Sequence, residues 1–281
     1  MQDSPPDSPE NQFSIGVTMS KFVEMLEKTG DDPSKPLGFG AAKNIKKIPT
    51  ILLIGQASAA DLEKNSKLAD AQTDAILLIV PTSNESALDS ISGLLKDKLW
   101  GVRVGSVSEE QAASFKEKGC DFIVFDPENT AAAVLNDDEL GKIIAINSEL
   151  SEDEGQAIHM LAVDCALFTP NESLKPLTVQ RLIDIEVIRG IVGKMFIMSS
   201  PADLAKSELE ALRNGGVAGL VINLDAAEDI AKTREAIDSL PRRPDSSRGG
   251  MMAQAPTAGF AAFAASSDPD PEQEEEEEEE E

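Results

Sequence analysis

The chain has 281 residues, 41% of them hydrophobic, and carries 51 Asp plus Glu against 25 Lys plus Arg for a formal net charge of −26. That length suits one large domain or two small ones, with enough apolar residues for an ordinary core. Eleven acids crowd between Asp268 and Glu281, yet the 40 that remain still outnumber the 25 basic residues, so the body lacks the basic footprint that nucleic-acid binding needs.

In chain order, "MQDSPPDSPENQ" is acidic and proline-rich, without the positive start or apolar stretch of a secretory signal. No later run approaches the roughly 18–20 apolar residues of a membrane span. The expectation is a cytoplasmic protein that neither enters membranes nor binds nucleic acid, with residues 1–19 disordered. "SKFVEMLEKTG" then reads as an amphipathic helix with Phe22, Val23 and Leu26 on one face. Residues 20–49 are expected to supply a capping helix and a linker.

Eight apolar runs follow: "TILLIG" from Thr50, "AILLIV" from Ala75, "LWGVRVG" from Leu99, "CDFIVF" from Cys120, "KIIAIN" from Lys142, "CALFTP" from Cys165, "KMFIMS" from Lys194 and "GVAGLVIN" from Gly216. They are short and rich in Ile, Val, Leu and Phe, as strands covered on both faces are. A helical pattern follows each. Ser108 with Gln111 and Ser151 with Glu154 form capping boxes. Ser200 before Pro201, Asp126 before Pro127, and Asp225 stand where N-caps stand. Eight strand–helix units at near-constant spacing predict an α/β fold, a (β/α)8 TIM barrel over residues 50–241, with the first helix closing its bottom. The rival, a doubly wound open sheet, lacks its Gly-rich turn here, because the first strand runs into "GQASAADL".

In such a barrel, chemistry belongs at the C-terminal strand ends. No Lys, His or Cys stands there. Lys142 and Lys194 fall at strand starts, His159 lies within a helix, and Cys120 and Cys165, at strand starts and far apart in sequence, read as buried reduced thiols. Schiff-base and imidazole chemistries are therefore disfavoured. Alternation in "LWGVRVG" turns Trp100, Val102 and Val104 toward the helices and Arg103 inward, between Gly101 and Gly105; the same logic turns Asn147 and Asn223 inward. In "CDFIVF", residue size does not decide which set faces in.

Two readings follow. In one, Arg103, Asn147 and Asn223 bind a small anion, while Asp126 and Glu149 hold a divalent metal or move a proton. In the other, Arg103 makes an internal ion pair with Asp121, Asp126 or Glu149, as a buried arginine must. Asp126 in particular has the simpler task of starting the helix after the fourth strand.

The segment "SSPADLAKSELEALRNGGVAGLVINL", Ser199 to Leu224, resembles the last βαβ unit of the phosphate-binding barrels of tryptophan and thiamine biosynthesis. The resemblance implies the barrel and its register, and it argues against those families' activity. Where they carry phosphate-cradling glycine amides, this chain has Ser199-Ser200-Pro201 and Asn223-Leu224-Asp225. The catalytic Lys and Glu of the tryptophan-pathway members have no evident counterpart.

The end of the chain, residues 242–281, combines "AGFAAFAA" with a glutamate run, which cannot bury apolar area and is expected to be disordered. It would act as a solubilising brush, or as a docking tail for a basic partner through Phe260 and Phe263. The functional expectation is a degenerate, non-catalytic barrel serving as a binding or scaffold module. The alternative is a metal-dependent lyase or isomerase acting on a small anionic metabolite.

Overall fold

Eight short strands pair in chain order into a closed, all-parallel barrel, and the eighth returns to the first, with Leu52 opposite Gly219. The computed structural model describes residues 19–29, 49–81, 86–225 and 227–241. The expected disordered ends, the linker after the first helix and the acidic tail fall outside those residues. The strands are β1 (Leu52–Ser58), β2 (Ala75–Ile79), β3 (Trp100–Val104), β4 (Phe122–Phe125), β5 (Gly141–Asn147), β6 (Cys165–Thr169), β7 (Met195–Ser199) and β8 (Gly219–Asn223). The helices are α1 (Lys21–Lys28), α2 (Ala59–Lys64), α3 (Ser86–Leu94), α4 (Glu109–Glu117), α5 (Glu152–Met160), α6 (Val179–Val192), α7 (Lys206–Asn214) and α8 (Ala227–Asp238). None is long and apolar enough to cross a membrane.

Because successive strand residues face opposite sides, each strand feeds two cores. Leu52, Ile54, Leu77, Val124, Ile143, Leu167, Ile197 and Val221 fill the barrel interior. Leu53, Ile76, Trp100, Val102, Ile123, Phe125, Ile144, Phe168 and Leu220 pack outward under the helices. This assignment settles strand β4: Phe122 and Val124 face in. The inner set is also fitted by glycines. A Cβ on Gly101 would collide with the Phe122 carbonyl and lie 2.5 Å from its ring, so the space beside Arg103 on that side belongs to Phe122 and is not left open for the arginine.

The bottom of the barrel is closed by α1. Ser20 caps it, its hydroxyl accepting from the Val23 amide, and Phe22, Val23 and Leu26 are buried. The Phe22 ring stacks on Phe122 with centroids 4.1 Å apart. Asp121, just before β4, holds the start of the helix: its carboxylate accepts from the Ser20 hydroxyl at 2.7 Å, the Phe22 amide at 2.9 Å and the Lys21 amide at 3.0 Å. An anion at a helix N-terminus satisfies donors that the helix itself cannot.

Local helix signals fare unevenly. Both capping boxes form, Ser108 with Gln111 and Ser151 with Glu154. Ser200 does not cap α7; its hydroxyl donates to the Pro201 carbonyl at 3.0 Å, and the helix starts further on, at Lys206. There the Glu208 carboxylate reaches back to the Ala205 amide at 2.7 Å. Asp126 starts no α-helix either. Two 3-10 turns, Pro127–Asn129 and Ala132–Asn136, replace it, and the Asp126 side chain makes no capping bond. The stretch between β4 and β5 has too few apolar residues at helical spacing to bury a longer helix; only Val134 of these turns is fully buried.

Candidate functional site

The inward register carries a set of polar side chains to the C-terminal mouth of the barrel. Gln56 follows Leu52 and Ile54 on β1, Arg103 stands next to last on β3, and Asp126 continues the Phe122–Val124 series off β4. Asn147, Thr169, Ser199 and Asn223 end β5, β6, β7 and β8. The neighbouring registers Gln56–Asn223 and Asn147–Thr169 place the members of each pair on adjacent strands.

Arg103 is the distinctive member. It is half-buried, yet among the described residues its side chain has no hydrogen bond or ion pair. Every other buried or half-buried Lys or Arg described is engaged. Lys142 donates to the Asp137 carbonyl at 2.9 Å, Arg234 pairs with Asp74 at 2.6 Å, Lys116 with Asp137 at 2.8 Å, and buried Arg213 meets Glu210 and the Pro241 carbonyl. The expected internal ion pair is therefore not made. Asp121 is committed to α1 at the other end of the barrel. Glu149 is exposed and accepts from the Asn171 amide group at 3.3 Å. Asp126 is exposed, its carboxylate 3.8 Å from where a Gly105 Cβ would stand, and it forms no salt bridge with Arg103.

The asparagines have local work. Asn147 accepts from the Glu149 amide at 2.8 Å, and Asn223 donates to the Asp225 carboxylate at 3.1 Å. Asn147 thus keeps its NH2 group for another acceptor, whereas that of Asn223 already serves an acid. Gln56, Thr169 and Ser199 were not singled out as site residues from the sequence. The Thr169 and Ser199 hydroxyls lie 3.3 Å apart, and the Gln56 Oε1 is buried without a partner. Strand parity was the signal that could have found them, because each falls on the inward set of its strand.

Among the described residues no group of three or more His, Cys, Asp or Glu converges as ligands would. Lys142 and Lys194 lie at the bottom, where Lys194 donates to the Leu161 carbonyl at 2.8 Å. His159 is exposed in the last turn of α5. Both cysteines are buried free thiols, and burial pushes Cys120 up to about 12 and Cys165 further in the same direction. None of these groups serves the mouth.

No protein-family model and no curated protein matches the chain. Solved structures do. A point mutant of the tryptophan synthase alpha-subunit from the hyperthermophile Pyrococcus furiosus superposes with a TM-score of 0.54 at 12% identity, covering 67% of this chain and 98% of that one. The same subunit in a crystal structure concerned with its entropic stabilization gives 0.52 at 11%, covering 66% and 96%. At that identity the likeness is one of fold alone.

Proposed function

We propose that this protein is a non-catalytic (β/α)8 barrel that works as a binding module, taking a small anion at its C-terminal mouth on Arg103. The observation that carries the reading is the unpartnered, half-buried guanidinium of Arg103 in a chain whose other half-buried or buried cations, among the described residues, are all engaged. A guanidinium presents a planar fork of donors matched to carboxylate or phosphate oxygens. The Asn147 NH2 group and the Thr169 and Ser199 hydroxyls are the additional donors on neighbouring strand ends.

The alternative is a metal-dependent lyase or isomerase with Asp126 and Glu149 as ligands or base. Its support is the free Asp126 carboxylate on the same rim. Thermal shift with malonate, citrate and inorganic phosphate tests the first reading. A rise in melting temperature with at least one anion, lost in Arg103→Met, is expected; an equal rise in the variant overturns it. Saturable Mg2+ or Mn2+ binding that disappears in Asp126→Asn would favour the enzyme instead.

A further inference from the structure

The charges around the mouth are unequal. Arg103 brings one positive charge, while Asp126, Glu149 and Asp225, each within two residues of a strand end, are exposed carboxylates in no salt bridge with a described residue. No further cation stands that close to a strand end. Lys175, further along its loop, pairs with Asp203, and Lys206 already belongs to α7. One charge on a ligand meets the guanidinium, but a second meets three acids. At two strand spacings, roughly 9–10 Å, each like charge weakens binding about twofold at low ionic strength, and three weaken it about tenfold. The mouth is thus set against a dianion.

Hydrogen bonding adds a second demand. Ionised carboxylate oxygens only accept, and Arg103 and the Asn147 NH2 group serve them. The Gln56 Oε1, by contrast, is a buried acceptor without a partner among the described residues. Leaving such an oxygen unmet costs free energy that a donor on the ligand recovers. The Thr169 and Ser199 hydroxyls, 3.3 Å apart, spend one hydrogen on each other and keep one donor and free lone pairs. A group that both donates and accepts suits them, and a hydroxyl is such a group.

The spacing fixes where that hydroxyl must be. Gln56 and Arg103 stand on β1 and β3 with β2 between; Gln56 pairs with Leu77 and Arg103 with Ile79, two residues further on. Along the sheet the two positions are roughly 10–12 Å apart. Ile79, on the inward set of β2, is 37% exposed and supplies an apolar step between them. A donor that reaches Gln56 therefore lies several carbons from the group held by Arg103. We infer that the ligand is a hydroxylated monocarboxylate of sugar-acid length. Its carboxylate sits on Arg103, its chain crosses Ile79, and a remote hydroxyl donates to Gln56. This inference rests on the reading of Arg103 as the anion site.

Three acids of equal chain length test it by titration calorimetry at low ionic strength: gluconate, hexanoate, which has no hydroxyls, and glucarate, which adds a second carboxylate. Gluconate should bind about tenfold more tightly than glucarate and about fivefold more tightly than hexanoate. Gln56→Leu, of similar size, should erase the margin over hexanoate, and Thr169→Val should narrow it even if Gln56→Leu fails to fold. Combining Asp126→Asn, Glu149→Gln and Asp225→Asn should bring glucarate level with gluconate. Hexanoate, glucarate or phosphate bound through Arg103 as tightly as gluconate overturns the inference and leaves the anion site standing. So does a gluconate margin unchanged in Thr169→Val and in a folded Gln56→Leu. Binding of none of these acids, nor of malonate, citrate or phosphate, or binding undiminished in Arg103→Met, overturns both.

Discussion

Replacing Asp121 with alanine should loosen the bottom of the barrel through α1 and leave the strands themselves untouched. Its carboxylate accepts three bonds from the first residues of that helix, two of them part-buried. Hydrogen bonds to a charged group contribute about 1.5–3 kcal/mol each, and exposed ones far less. Counting the two part-buried bonds at the lower figure gives a loss of roughly 3 kcal/mol, which for a domain of this size lowers the melting temperature by roughly 6–12 °C. Phe22→Ala, which removes the ring stacked on Phe122, should cost about 3–5 kcal/mol. Both substitutions release the same plug, so the double variant should fall short of the sum by about 1 kcal/mol or more. Urea midpoints at constant slope give the energies, and hydrogen exchange should quicken at 21–28 before it does in β4 or β5. Full additivity, or an Asp121→Ala midpoint equal to wild type, would refute the reasoning.

Three further outcomes are expected. Gly101→Ala should destabilise severely, since its Cβ would collide with the Phe122 carbonyl, whereas Gly93→Ala in α3, with nothing within 4 Å, should stabilise by about 0.5–1 kcal/mol; thermal melts distinguish them. Ser151→Ala should cost about 1 kcal/mol by removing a formed capping box, while Ser200→Ala should stay within about 0.5 kcal/mol because that hydroxyl caps no helix. The third outcome concerns alkaline stability. Burial raises both thiols, Cys120 to about 12, above the ordinary 9.0. The unfolded chain therefore loses protons first, and stability is full below about pH 9 and falls above it, at up to about 1.4 kcal/mol per pH unit per thiol. The chain has no tyrosine to confuse that titration. Wild-type urea midpoints should fall between pH 8 and pH 10, and equal midpoints would contradict the assignment.

The barrel was legible because its strands repeat one grammar. Runs of Ile, Val and Leu buried on both faces leave little else for a segment to become, and alternation placed Arg103 inward because Trp100, Val102 and Val104 had to meet helices. Strand β4 resisted the same argument, since Phe, Ile, Val and Phe are all large. Its orientation depends on partners distant in sequence: Phe22 from the chain's start and the room left by Gly101. Ser200–Pro201 and Asp126–Pro127 misled for the opposite reason. A capping residue followed by proline is a local signal that a turn satisfies equally well, and whether a helix follows depends on apolar surface to bury further on. At the mouth, the inward position of Arg103 could be read from its strand, but its lack of a counter-ion depends on where Asp121 and Glu149 are spent.

The plug at the bottom of the barrel also sets an order of events during synthesis. Helix α1 leaves the ribosome ahead of the carboxylate and ring that hold it, which lie about a hundred residues later, 101 for Ser20 to Asp121. At about 5–20 residues per second, the apolar face of Phe22, Val23 and Leu26 waits roughly 5–20 s with nothing to dock on. Eight residues are too few to hold a helix alone in water. Helix α1 thus acquires its structure only once β4 has followed it, and a nascent barrel stalled before β4 would present that uncovered face to any chaperone within reach.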